Sequence, residues 1–228
     1  MNQPPEGYRL FHVVAMVFVT MLLVSNTIAT KIVDIAGFAL PAGILCFPVA
    51  YIVNDVICEV YGYARTRSVI WIGFGCLALM SLLYYLATEL PPAGFWDNQS
   101  AFQSIFGMVP RIATASFMAY LVGSFLNASI MSLMKVRMKG KYLWMRTIGS
   151  TIIGEGADSL IFNFIAFFGV FELSNVLYIA FSGFILKTIY EVIATPATYA
   201  IVRYLKRIEN EDKYDIGISY NPFEFKSN

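Results

Sequence analysis

Residues 148–171 read IGSTIIGEGADSLIFNFIAFFGVF, a stretch whose only ionisable groups are Glu155 and Asp158. At about 1.5 Å per residue, a helix of this length exceeds the roughly 30 Å of a bilayer's hydrocarbon core. Thr151, Glu155, Asp158, Ser159, Phe162 and Asn163 recur at helical spacing, so they share one stripe, and apart from Ser150 the remaining positions are apolar. The stretch therefore predicts a membrane-spanning helix with an acidic face. A charge in hydrocarbon costs several kcal/mol unless it is paired or meets water, so that face must be turned toward something.

Working outward, the rest of the chain has the same character. Of its 228 residues, 58% are hydrophobic and 14% charged, with a mean hydropathy of +0.65. Soluble domains carry about a quarter charged residues, so an ordinary soluble enzyme is excluded. Six spans are expected: Leu10 to Ala29, Phe38 to Tyr61, Ser68 to Thr88, Ile112 to Met134, Ile148 to Phe171, and Asn175 to Tyr204, the last free to tilt or kink at Pro196. The first run is long and follows a single basic residue, Arg9, so it reads as a retained span rather than a signal peptide. The expected fold is an all-α membrane protein, six transmembrane helices in a compact bundle, forming one domain over residues 1–207. Residues 208–228 are expected to be a polar cytoplasmic tail with little fixed structure. Between Glu89 and Arg111, after Pro91, Pro92 and Trp96, the spacing of Phe102, Ile105, Phe106 and Val109 predicts a short interfacial helix.

Basic residues set the direction. With both termini cytoplasmic, the inner segments hold 13 of the 16 Lys and Arg residues, whereas Lys31 and Arg111 fall outside and Lys187 falls within a span. That asymmetry favours an inside location for both termini.

A net charge of +1 leaves no basic surface for nucleic acid. Cys46, Cys58 and Cys76 form no CxxC and lie in apolar segments, and His12 is the only histidine, so no metal site or histidine-based triad is expected. No phosphate-binding loop of the Walker type is present, no cofactor is expected, and ATP hydrolysis would have to come from a partner.

The chemistry lies in the polar groups inside the spans. Tyr51, Asp55 and Glu59 share a face of the second span beside Asn54, and Lys187, Tyr190, Glu191, Thr195 and Thr198 line the sixth. Counting along the helices puts Asp158 roughly 15 Å and Lys187 roughly 18 Å from opposite surfaces, both near the midplane. Lys187 is therefore expected to face Asp158, Glu155 or Asp55. One lysine cannot satisfy Asp55, Glu59, Glu155 and Asp158, so protons, water or a ligand must fill the centre. The plainer alternative is that these groups only glue helices together. The stripe Ala115, Ala119, Gly123 reads as close helix packing. A guanine-like heterocycle would suit such a centre: a carboxylate accepts its two adjacent N–H donors, Asn163 or Asn54 completes the polar edge, and Phe162, Tyr51 and Tyr190 cover its faces. Residue chemistry alone reaches only a small planar polar solute.

Four segments carry a resemblance: 54–62 (Asn54-Asp55-Val56-Ile57-Cys58-Glu59-Val60-Tyr61-Gly62), 110–120 starting Pro110-Arg111, Arg146 through Asp158-Ser159 and Phe162, and Lys187 through Tyr190-Glu191, Thr195-Pro196 and Thr198-Tyr199. In that order they resemble the queuosine precursor transporter family, also called the vitamin uptake transporter family, of bacterial inner-membrane proteins. The resemblance implies a fold similar to the substrate-binding components of energy-coupling-factor transporters. It also implies import of 7-cyano-7-deazaguanine or 7-aminomethyl-7-deazaguanine for tRNA modification. The family's acidic and lysine positions fall on Asp55, Glu59, Glu155, Asp158, Lys187 and Glu191, with Arg111 at the outer mouth. The expected partners are a small 7-deazaguanine substrate and membrane lipid, with a homo-oligomer or an ATPase module as further options. One rival is a binding subunit dependent on a separate ATPase. A remote one is an intramembrane aspartyl protease, since Gly154-Glu155-Gly156-Ala157-Asp158 resembles a Gly-x-Gly-Asp site, one residue too long.

Overall fold

A computed structural model describes residues 8–28, 31–35, 38–106, 109–169, 172–210 and 212–223. Seven α-helices occur among them: α1 (Phe11–Ile28), α2 (Phe47–Tyr61), α3 (Tyr63–Glu89), α4 (Gln99–Phe106), α5 (Val109–Arg137), α6 (Leu143–Phe167) and α7 (Leu173–Glu209). By length and apolar composition alone, four of them can cross a membrane: Phe11–Ile28, Tyr63–Glu89, Thr114–Arg137 and Val176–Glu209. The α6 helix carries its polar stripe through the middle, and α2 has only 15 residues, about 22 Å of helix.

The short α2 corrects the second expected span. Its first part, from Phe38, is the strand β2 (Phe38–Pro41), paired antiparallel with the preceding β1 (Ile32–Ile35) in the register Ile32↔Pro41 to Ile35↔Phe38, followed by a 3-10 turn at Ala42–Leu45. β-branched Ile32, Val33 and Ile35 favour the extended state, and Pro48 in the first turn of α2 starts the helix afresh. A short helix does occur in the 89–111 connection, α4, with Phe106 against Tyr84 and Phe102 against Trp96, whereas Val109, expected on it, begins α5. Helix α7 runs unbroken through Pro196.

Polarity is distributed inside out. Ile72, Leu79, Leu82, Leu83 and Leu86 of α3, Ile152, Ile153 and Leu160 of α6, and Ile189 and Ile193 of α7 are exposed. Asp55, Glu59, Asn127, Glu155, Asp158, Asn163 and Glu191 are buried. Lipid can solvate the first set and the bundle interior must satisfy the second, as expected for a protein whose outer solvent is hydrocarbon. An apolar core of Phe18 and Leu22 (α1), Val56, Ile57 and Val60 (α2), Ile70 and Phe74 (α3) and Tyr120 (α5) ties the first half of the bundle together. The close crossing of α5 on α6 closes the second half: a Cβ at Gly123 would stand 2.9 Å from both Asp158 Cβ and Gly154 O, and one at Gly154 would stand 2.9 Å from Asn127 Cβ. The small-residue stripe therefore works as packing at Gly123, with Ala115 and Ala119 fully buried along the same face.

The tail departs from expectation. Instead of lacking fixed structure, residues 212–223 lie along the end of the bundle where α7 stops and α3 starts. Asp215 accepts hydrogen bonds from the Tyr63 N–H at 2.8 Å and from the Ser132 hydroxyl, filling the N-cap role for α3 that Gly62 (φ +86°) cannot. Arg67 donates to the Asn221 carbonyl at 2.7 Å and Trp71 to that of Pro222 at 2.8 Å. Buried donors near the start of α3 needed acceptors, and the tail supplies them. At the same end, Glu209 of α7 accepts the N–H groups of Arg9 and Leu10, each at 2.8 Å, capping α1.

Candidate functional site

Where α6 meets α7, Lys187 Nζ donates to Asp158 Oδ2 at 2.7 Å and lies 2.9 Å from Glu155 Oε2. The expectation that Lys187 faces Asp158 and Glu155 thus holds. The 3.6-residue period puts the two acids one turn apart on the inner face of α6, and the glycines at 123 and 154 let α5 close over them. The Tyr51 side chain reaches the group from α2 and is a hydrogen-bond neighbour of Glu155. Its hydroxyl lies 3.4 Å from where a Cβ of residue 123 would be. Lys187 keeps 21% of its side chain exposed, whereas Glu155 and Asp158 are buried, so the ammonium enters the pair from the edge of the bundle.

Asp55 does not join that pair. Its Oδ1 accepts from Asn127 Nδ2 of α5 at 2.5 Å, and its Oδ2 is buried with no partner among the described residues. Glu191 of α7 lies within electrostatic reach of Asp55, and its Oε1 likewise has no partner among the described residues. Asn54 Nδ2, Asn127 Oδ1, Thr151 Oγ1 and Ser159 Oγ are also buried without partners. Each such atom costs about 1–3 kcal/mol until something meets it, and these atoms are concentrated along α2, α5, α6 and α7. Asn163 is buried but donates its amide to the Ser159 carbonyl at 2.8 Å. Phe162 is half-buried, and Tyr190 is 43% exposed rather than enclosed beside the acids. The side chain of Arg111 lies outside the described residues.

Glu59 shares a helix face with Asp55 but belongs to a different group. Arg146 binds it with both Nη atoms, Lys206 Nζ lies 2.6 Å from Oε1, and Lys135 Nζ donates to its backbone carbonyl at 2.6 Å. Lys135 and Lys206 also hold Asp212 of the tail at 2.6 and 2.9 Å. Burial alone would raise the Asp212 carboxyl, but the hydrogen bonds from these two lysines outweigh it and keep the group below its ordinary range. A cavity of about 240 Å³ opens beside this cage, lined by Glu59, Arg146, Tyr199, Arg203 and Lys206 among others.

Sequence reasoning missed Asn127 as the partner of Asp55. The available signal was its place four residues after Gly123, which extends the small-residue stripe into the acidic centre.

Residues 41–201 match the protein family described as "Putative vitamin uptake transporter". The chain is 28% identical over 190 residues to a "Probable queuosine precursor transporter" of Bacillus subtilis (strain 168), covering 83% of this chain and 82% of that protein. It is 25% identical over 213 residues to the "Queuosine precursor transporter" of Escherichia coli (strain K12), covering 91% and 94%. No solved structure matches.

Proposed function

Because the chain belongs to the vitamin uptake transporter family, we propose that it imports queuosine precursors, 7-cyano-7-deazaguanine and 7-aminomethyl-7-deazaguanine, across a bacterial inner membrane for tRNA modification. The observation that carries this reading is Lys187 bridging Glu155 and Asp158 inside a bundle where Asn54 Nδ2, Thr151 Oγ1 and Ser159 Oγ are buried without partners among the described residues. A deazaguanine offers adjacent N–H donors and an acceptor edge, which match such a set in kind. In this reading Asp158 or Glu155 grips the donor edge, Asn163 and Asn54 serve the polar rim, Tyr51, Phe162 and Tyr190 stack, and Arg111 stands at the outer mouth. Lys187 balances the acids while the site is empty. It is a transporter rather than an enzyme, working as a secondary carrier or facilitator.

Six spans, with α2 and α6 crossing beside the four apolar helices, would form one domain over residues 1–207, similar to energy-coupling-factor binding components, with a cytoplasmic tail at 208–228. The capping of α1 by Glu209 supports a common side for both termini, and the basic residues favour the cytoplasm. Uptake of labelled precursor into cells lacking their own carrier tests the proposal: it should vanish in Asp158→Asn and Lys187→Ala, and wild-type transport by both would refute it. Transport by the purified chain in liposomes without ATP separates a carrier from a subunit that needs an ATPase module.

A further inference from the structure

The acids of the interior divide into groups with different counter-charges. Glu155 and Asp158 share Lys187, and Glu59 is caged by Arg146, Lys206 and Lys135. Asp55 and Glu191 make no ion pair among the described residues, although they are 1% and 2% exposed. Acids within electrostatic reach of Asp55 include Glu191 from α7, Glu59 one turn along α2, and Glu155 from α6. The cations on the surrounding elements are engaged elsewhere: Lys187, one turn before Glu191, with Asp158, and Arg65 and Arg67 of α3 with Tyr8 and the tail. The α1 helix brings only His12, in its first turn, and α5 contributes the uncharged Asn127 at this level.

Hydrogen-bond chemistry points the same way. Asn127 is fully buried and aimed at Asp55, since its Nδ2 donates to Asp55 Oδ1 at 2.5 Å, yet its Oδ1 has no donor among the described residues. Asp55 Oδ2 and Glu191 Oε1 have none either. Three acceptors on adjoining helices thus have no donor among the described residues, and no cation there pairs with either carboxylate. A proton on either carboxylate remedies both: it removes one negative charge and creates an O–H that can donate to a neighbouring acceptor.

We propose that Asp55 and Glu191, steadied by Asn127, form a proton-binding site separate from the Lys187 pair, and that substrate import is coupled to the proton this site carries inward. The proton adds to a carboxylate oxygen from the outer side, giving a neutral carboxylic acid, and leaves to the inner side with the carboxylate restored. No other bond changes. The inference rests on the transport reading above.

The test uses the purified full-length chain in liposomes, with labelled 7-cyano-7-deazaguanine, a pH dye inside and the membrane potential clamped. One proton per substrate makes a gradient of one pH unit, acid outside, worth about tenfold accumulation. Substrate addition should also acidify the lumen. In Glu191→Gln and Asp55→Asn the ratio of gradient-driven accumulation to exchange of labelled for unlabelled substrate should fall about tenfold, toward its value without a gradient. Exchange itself reports that each variant is folded. Accumulation and exchange falling by the same factor would mean that the pair only holds substrate or structure, and would overturn the inference. So would wild-type transport that moves no protons, or that follows a sodium gradient instead. A wild-type chain that neither binds nor exchanges the precursor would remove the transport reading itself, and this inference with it.

Discussion

Lys187 and Asp158, 29 positions apart, are joined by a 2.7 Å hydrogen bond between α7 and α6, and Glu155 one turn away shares the same ammonium. An interior ion pair is costly to break on one side only, because the remaining charge loses its partner without regaining solvent.

Lys187→Ala should therefore destabilise the protein by about 3–5 kcal/mol, somewhat less if water reaches the partly exposed edge. The double variant Lys187→Ala/Asp158→Asn should recover part of that loss while remaining inactive. Thermal unfolding in detergent, followed alongside substrate binding, checks both halves of the expectation.

Helix closeness at the α5–α6 crossing can be tested at one atom. A Cβ at position 123 would meet Asp158 Cβ and Gly154 O at 2.9 Å, whereas one at Gly75 meets nothing within 4 Å. Gly123→Ala should cost about 1–3 kcal/mol and lower substrate affinity by moving Asp158, whereas Gly75→Ala should be neutral or slightly stabilising. Equal melting temperatures for the two variants would contradict the packing described.

Glu59 should behave as a structural anchor. Removing its charge by Glu59→Gln leaves Arg146 and Lys135, at 1% and 2% exposure, without their shared carboxylate. A loss of about 3–5 kcal/mol is expected. Whatever fraction still folds should bind substrate with wild-type affinity, which separates this cage from the Lys187 pair.

The tail should come loose on acidification. Asp212, held below its ordinary range by Lys135 and Lys206, binds fewer protons folded than free. Its stabilising effect is therefore fully present above the unfolded value of about 3.9 and is lost as pH falls through the lower folded value. Hydrogen exchange of residues 212–223 should accelerate over that acid range in the wild type and already at neutral pH in Asp212→Asn. Asp215→Ala, which removes the cap on Tyr63, should cost about 1 kcal/mol and free the same segment.

Much of the site was legible because helical periodicity is local. The spacing of Tyr51, Asp55 and Glu59, and of Glu155, Asp158 and Ser159, already assigned each set to one face, and depth along the helices matched Lys187 to Asp158. The strand pair of 32–35 with 38–41 was not legible: an apolar run of that composition suits a strand pair or a helix equally well, and pairing between the two segments decides between them. Tyr190 shows a related limit, since it lies next to the buried Glu191 in sequence yet is exposed on the other side of the helix turn.

Composition and periodicity by themselves determined that this chain dissolves in lipid, that its charged residues within the helices turn inward, and that Tyr51, Asp55 and Glu59, or Glu155, Asp158 and Ser159, share a face, because solvent preference and helix pitch depend on neighbours within a few residues. Only the tertiary structure decided which charge meets which: Glu59 with Arg146, Glu155 and Asp158 with Lys187, Asp55 with Asn127, and Asp215 with the start of α3. Those pairings depend on how closely and at what rotation the helices cross. The bare backbones at Gly123 and Gly154 set that geometry between segments far apart in the chain.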